Sequence, residues 1–447
     1  MENINKDFKD LWRRSNLQSE NIVDLILVLV LWRYLSDVTY TGHSDNYKWN
    51  DPGNNYHFNS LNNPGDSKSI SFFGLALKKW CELNDRLDSI FYIDERNLNI
   101  DTVFSAWILV KNITSDLTPP NRWNKEHTKS LFDKIASFFL NDWRLSHEYF
   151  TPTDVSMVMV GLVKGTGDVT IYDPSCGSGD LLHAALIDLP NASRVTGVTQ
   201  NSFIYKFAQI RLLLLDIPFD LFHDNDKVKD EKFDIILTNP PFGMKNNFQN
   251  NIIRNGKWSE LQTTKRSEAR YLKGILENLS EKGKAVVILP NGILSEKANS
   301  ILRKEMVEEN LVEAIIHLPK NIFHHTRVSA SLLLLNKQKD HKDFLFIDAS
   351  NLGIKDRDGV RLTDNGVRFI LELFYSDKQG ISQASKYKVI KVGLDLLRKK
   401  EYDLQYITYD KSIEYVKPRP SIELLNEFKI LEVELANIQK EISGIII

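Results

Sequence analysis

Apolar residues recur at helical spacing near the start of the chain, at Phe8, Leu11 and Trp12 and then densely from Ile22 to Leu35, with Ser36 and Asp37 closing the stretch. This predicts helices over residues 7–38. The uninterrupted run Leu25–Trp32 is bounded by Asp24 and Arg33. It is far short of the roughly 20 apolar residues that span a bilayer, so it predicts a buried helix and no membrane partner. Residues 41–69, rich in Asn, Gly, Asp, Ser and Pro, read as a polar loop. Helical patterns return at 71–89 and 127–143, and residues 1–145 are expected to form a helical domain.

From about residue 168 the pattern changes to short β-rich runs separated by amphipathic stretches: Val169–Tyr172, Arg194–Thr199, Phe233–Thr238, Ala285–Pro290, Val312–Leu318 and Ala330–Leu335. Strands alternating with helix-length segments predict an α/β fold with a doubly wound, Rossmann-like parallel sheet, here assigned to residues 146–350. Ligands of such a sheet sit beyond the carboxyl ends of its strands. One more strand-like run, Phe344–Asp348, precedes a region, 351–447, expected to be mostly helix and loop. Its end, Ser421–Ile442, places Leu424, Phe428, Leu431, Leu435, Ile438 and Ile442 at alternating intervals of four and three. That is the seam spacing of a coiled coil, which suits a partner-binding helix or a helix folded back on its own domain. No internal repeat is visible.

Two motifs follow predicted strands directly. Asp173-Pro174-Ser175-Cys176-Gly177-Ser178-Gly179-Asp180 turns from the strand at 169–172 into a helix beginning at Leu181. Its glycines let backbone pass close to a ligand, and the helix start offers unpaired N–H groups. It lacks the Gly-Lys-Ser/Thr ending of a phosphate loop and the G-x-G-x-x-G spacing of a dinucleotide fold. Asn239-Pro240-Pro241-Phe242 follows the strand 233–238. Asn-Pro-Pro is also an ordinary loop initiator. Its chemistry suits transfer to an aromatic amine such as N6 of adenine, whose lone pair is delocalised into the ring. The Asn239 side-chain carbonyl and the Pro240 backbone carbonyl would accept the two N–H bonds and favour a pyramidal nitrogen. The prolines would fix that carbonyl, and Phe242 would stack on an extruded base. Such catalysis needs positioning and electrostatics, with no metal and no covalent nucleophile.

With both motifs in place the sequence resembles the modification (M) subunits of type I restriction–modification systems, adenine-N6 DNA methyltransferases in which the cofactor motif precedes the catalytic one. The resemblance covers most of the chain. Leu11-Trp12 and Trp32–Asp37 look like the helical N-terminal domain, and 282–292, Leu318–Phe323 and Thr326 like the later strands. It implies S-adenosylmethionine as cofactor. Tyr149, Phe150, Thr151 and Pro152 would contact its methionine part, Asp173, Pro174, Gly177, Ser178, Gly179 and Asp180 would form its loop, and Asp224 would lie near its adenine. Asn239, Pro240, Pro241 and Phe242 would be the catalytic residues. Two positions depart from the pattern. Thr199 stands where the family usually has an acid gripping the ribose hydroxyls, and a hydroxyl cannot supply the charge-assisted bonds of a carboxylate. Asp180 stands where glycine is common.

The remaining composition bears on compartment and partners. Only two cysteines occur, Cys81 and Cys176, without metal-ligand spacing. This argues against a disulfide framework or a zinc site and suits a reducing cytoplasm; the start MENINKDFKD shows no signal-peptide pattern either. The net charge of −2 is low for a protein that grips DNA alone. Either basic residues cluster on one face or another subunit supplies much of the grip. The resemblance implies as partners DNA, a specificity (S) subunit, a restriction (R) subunit and a second modification subunit. Two alternatives stay open: methylation of protein glutamine or RNA guanine, which the same motif serves, and a catalytically silent structural subunit that has lost cofactor binding. His223, His324 and His325 read as loop or surface residues, Arg398–Lys400 as a solvated helix face, and tryptophans 12, 32, 80, 107, 123 and 143 as packing residues.

Overall fold

The computed structural model describes residues 19–41, 49–60, 67–88, 90–91, 100–115, 123–139, 150–164, 168–223, 228, 231–243, 267–323, 328–356, 359–378 and 389–410. Met1–Thr408 forms one compact unit and Tyr409–Ile447 a second. The seam helix expected at Ser421–Ile442 lies outside the described residues, as do Leu11, Trp12 and Trp143.

The first unit begins with helices α1 (Ser19–Thr41), α2 (Ser67–Leu83), α3 (Ile100–Ile113) and α4 (Lys125–Phe139). Every apolar side chain of α1 from Ile22 to Leu35 is at most 2% exposed. A helix apolar on all sides must be enclosed on all sides, and among the described residues no helix is long and apolar enough to cross a membrane. Four indoles tie the layer together. Trp32 and Trp80 donate to the Tyr56 carbonyl at 2.8 and 3.1 Å, Trp107 to the Phe58 carbonyl at 3.3 Å, and Trp123 to the Asp37 carboxylate at 3.0 Å. The stretch expected to be a polar loop thus carries packed structure: Asn54–Tyr56 and Phe58–Ser60 are short 3₁₀ turns, and Phe58 is fully buried.

Beyond it come α5 (Thr153–Val163), β1 (Val169–Asp173), α6 (Asp180–Asp188), β2 (Ala192–Val198), α7 (Ser202–Leu213), β3 (Phe219–Phe222), β4 (Phe233–Thr238), α8 (Ser267–Asn278), β5 (Leu279–Pro290), α9 (Ser300–Glu308), β6 (Val312–His317), β7 (Ala330–Asn336) and β8 (Phe344–Asp348). A hairpin of β9 (Gly353–Asp356) and β10 (Gly359–Leu362) follows, then α10 (Asp364–Lys378), β11 (Val389–Val392) and α11 (Leu394–Lys399). Nine strands form one sheet in the order β11-β8-β6-β7-β5-β4-β1-β2-β3. The expected doubly wound α/β sheet is present, mostly parallel, with two corrections. β7 runs antiparallel between β5 and β6, and β11 runs antiparallel to β8. The link from β6 to β7 shows no helix among its described residues, and parallel return needs a crossover that usually contains one. The sheet also continues past residue 350, since β11 closes its edge, and the region expected to be mostly helical holds three strands.

Alternate residues of the strands (Ile171, Val195, Ile235, Val286, Ile316, Leu332) join α5, α6 and α10 in one core. Their neighbours Tyr172, Ile236, Val287 and Leu333 point to the other side and are no more than 2% exposed. Burial on both faces is what a parallel sheet requires. α7 is shared between layers: Ala208 and Leu212 belong to the sheet core, Phe207, Ile210 and Leu213 to the core of the N-terminal helices. Lys206 on α7 pairs with Asp24 on α1 at 2.5 Å, reinforcing that junction. Strand order reverses between β1 and β4, and their carboxyl ends flank the crevice where such folds bind ligands.

Candidate active site

β1 ends in Asp173, whose carboxylate accepts the Ser175 N–H at 2.9 Å and starts a turn. The Cys176 N–H bonds to the Val198 carbonyl of β2 at 2.9 Å, and the Gly179 N–H to the Cys176 carbonyl at 2.8 Å. Gly179 has φ +81°, open to glycine at low cost, and its carbonyl receives the His183 N–H at 2.9 Å. The first-turn N–H groups of α6 thus open onto the crevice end of β1. Gly197 of β2 faces this loop, and a Cβ there would lie 2.9 Å from both Cys176 Sγ and Leu182 Cδ1.

The two acids of the loop behave differently. Asp173 is 1% exposed. Burial pushes its carboxyl up to about 7, against the opposing hydrogen bond of the Ser175 N–H. Among the described residues no cation pairs with it. Asp180, by contrast, accepts the Ser178 hydroxyl at 2.6 Å and forms an ion pair with Arg211 of α7. Arg211 is fully buried and donates also to the Ser178 carbonyl at 3.2 Å. Its guanidinium lies 5.1 and 5.5 Å over the rings of Phe132 and Phe207, with Asp133 of α4 at 3.5 Å. The departure at 180 therefore carries a matched charge. Sequence reasoning missed Arg211, although one charge inside the apolar run Ala208–Leu215 was a signal that a buried partner waits elsewhere.

At the end of β4, Asn239 is half-buried, and its Nδ2 donates to the Thr151 hydroxyl at 3.3 Å across 88 positions of sequence. This leaves Oδ1 available. Thr151 precedes α5, where the Pro152 carbonyl accepts the backbone N–H and the hydroxyl of Ser156 at 2.9 and 3.2 Å. Phe150 meets Phe207 edge-on at 5.9 Å. Pro240 is buried, and Phe242 is half-buried, edge-on to Phe323 at 5.7 Å. The Gly243 N–H then donates to Glu268 of α8 at 2.6 Å. Glu268, 1% exposed, is a second residue that sequence reasoning missed, and no motif marked it.

Thus the structure brings the 150–152 segment, the 173–180 loop and Asn239–Phe242 together beyond the carboxyl ends of β1 and β4. Thr199 directly follows β2, is 5% exposed, and its N–H bonds to the Phe222 carbonyl at 3.0 Å. Neither neighbour restores a carboxylate: Gln200 is neutral, and Asn201 caps α7, accepting the Phe203 and Ile204 N–H groups at 3.0 Å each. Tyr149, Asp224, His324, His325 and Thr326 lie outside the described residues. His223 is exposed and stacks on Tyr205 at 4.0 Å. Arg398 is half-exposed and pairs with Glu308 at 2.6 Å, whose carboxyl that hydrogen bond lowers to about 2. Among the described residues no group of three or more His, Cys, Asp or Glu is placed to hold a metal ion.

A sheet of this order with a glycine loop after β1 and Asn-Pro-Pro-Phe after β4 defines a methyltransferase-type site. The chain matches the N-6 DNA methylase family over residues 130–417, well over half its length, and belongs to that family. It is similar to the type I restriction enzyme MpnII methylase subunit of Mycoplasma pneumoniae, with 27% identity over 320 residues that cover 65% of this chain and 58% of that protein. It is also 27% identical over 250 residues to the type I restriction enzyme EcoEI methylase subunit of Escherichia coli, covering 51% of this chain and 50% of that one. The chain thus spans about half the length of these relatives. Among solved structures, a type I restriction-modification system methyltransferase subunit from Streptococcus thermophilus shares its fold with a TM-score of 0.77 at 19% identity, over 91% of this chain and 99% of that chain.

Proposed function

We propose that the chain is the catalytic modification subunit of a type I restriction–modification system, which methylates N6 of an adenine extruded from DNA and uses S-adenosylmethionine as donor. The observation that carries this reading is the contact between Asn239 and Thr151, at the crevice between β1 and β4. The donor set fits the cofactor. Asp173 is a buried carboxyl that no described cation satisfies, and the ammonium of an amino acid would supply the missing charge. Phe150, Thr151, Pro152 and the 173–180 loop would hold the methionine end, with Thr199 and Asp224 toward the ribose and adenine. When bound, the cofactor supplies a methyl group activated by a sulfonium.

The protein's part is to shape the acceptor amine. Oδ1 of Asn239 and the carbonyl of Pro240 accept its two N–H bonds and draw the lone pair out of conjugation, while Phe242 stacks on the base. Thr151 holds the Asn239 amide by Nδ2, so Oδ1 remains the acceptor. Asp180 was one of the two departures behind the silent-subunit alternative, and its pairing with Arg211 removes that objection. We assign sequence choice to a specificity subunit bound through the C-terminal region, with a second modification subunit and a restriction subunit in the larger assembly and the cytoplasm as its compartment. Asn239→Ala tests the chemistry. In the assembled complex it should lower adenine methylation by about 100-fold or more while leaving cofactor binding near wild type. Methylation at the wild-type rate would refute the assignment.

A further inference from the structure

Arg211 has no counterpart among the motifs, yet it is the most enclosed charge near the site: fully buried, between two aromatic rings and two carboxylates. A guanidinium withdrawn from water costs several kcal/mol unless paired, so its partners must matter. Asp180 is the tightest of them, opening α6 directly after the left-handed turn at Gly179. Left alone, that carboxylate would set a full negative charge at the mouth of a loop that, on the proposed reading, receives the carboxylate of an amino acid. Arg211 neutralises it and, through the Ser178 carbonyl, also holds the loop backbone. The other side of the guanidinium belongs to α4, through Phe132 and Asp133, and Asp133 pairs in turn with Lys129 at 2.7 Å. Lys129 reaches the Thr153 hydroxyl at 3.1 Å. Arg211, Asp180 and Asp133 line one narrow cleft together with Thr151, the residue that holds Asn239.

We infer that Asp180 and Arg211 are a matched pair, and that Arg211 is a positioning residue which neutralises and closes the cofactor loop and fastens it to the N-terminal helical layer. The inference rests on the proposed cofactor for its consequence but not for its structural content. Cys176 provides a readout that needs no ligand: it sits inside the loop, 5% exposed, so opening the loop exposes its thiol.

The experiment uses the full-length chain carrying Cys81→Ser, which leaves Cys176 as the single cysteine. It measures Cys176 alkylation by N-ethylmaleimide, S-adenosylmethionine affinity by calorimetry, and the urea midpoint. Arg211→Met keeps an apolar body between the rings but strands Asp180, so alkylation should rise and affinity fall by about tenfold or more. Adding Asp180→Asn removes the stranded charge without restoring any packing, and should bring Cys176 alkylation back to within about threefold of the parent. If Arg211 only fills space, this second change rescues nothing, and the inference fails. Should Arg211→Met not fold, Asp180→Asn alone decides, since it strands the guanidinium: unchanged Cys176 protection would overturn the pairing. A parent chain that shows the alkylation pattern but binds no S-adenosylmethionine would defeat the cofactor reading and leave the pair standing. A parent that binds, with variants unchanged in both readouts, would do the reverse.

Discussion

The buried carboxyl of Asp173 makes a prediction with two independent faces. Its affinity for a proton is raised from 3.8 to about 7, chiefly by burial. At about 1.4 kcal/mol per pH unit, the difference corresponds to roughly 4 kcal/mol between its two ionisation states in the fold. The native chain holds this proton to higher pH than the unfolded chain. Stability from this group is therefore complete below about pH 4 and is lost as pH rises through about 7. Asp173→Asn keeps the neutral shape and should abolish that dependence, so the urea midpoints of wild type and variant should diverge between about pH 4 and 8, with the wild type falling. The second face is ligand linkage. If an ammonium of the cofactor pairs with Asp173, binding ionises the carboxyl. Calorimetry in buffers of different ionisation enthalpy should then detect release of about one proton at about pH 6 and almost none at about pH 8.5. Proton release that is the same at both pH values, or midpoint curves that run parallel for wild type and Asn variant, would refute the assignment of Asp173 as a protonated, cation-seeking group.

Three further expectations are simpler to test. Thr151→Val removes the oxygen that holds the Asn239 amide, so methylation in the assembled complex should slow by about tenfold with little change in the urea midpoint. Gly197→Ala places a methyl 2.9 Å from Cys176 Sγ and Leu182 Cδ1. Denaturation should show a loss of about 1–3 kcal/mol, and the cofactor loop should be displaced, read as weaker S-adenosylmethionine binding. Deletion of everything after Pro420 should leave a cofactor-binding chain that no longer co-purifies with a specificity subunit; co-purification at wild-type yield would sink the proposed role of Ser421–Ile442.

Much of the site is legible in the amino-acid sequence because its signals are local. A short β-branched run followed by Gly-rich or Asn-Pro-Pro sequence states, within about ten residues, that a strand ends and a ligand-facing turn begins. β1 ends in this way on Asp173, directly before Pro174, and β4 directly before Asn239-Pro240. The apolar run of α1 announces a buried helix by composition alone. Elements with weak local signals escape: β3 has only four residues, Phe219–Phe222. Tertiary structure alone decided the direction of β7, the addition of β11 to the sheet, the seating of Arg211 on Asp180, and the meeting of Thr151 with Asn239. Periodicity and turn chemistry reflect the steric preferences of neighbouring residues, which any short window of sequence contains. Strand direction, charge pairing and the approach of residues 88 positions apart depend on which surfaces are buried together, and that free energy exists only once the layers have packed.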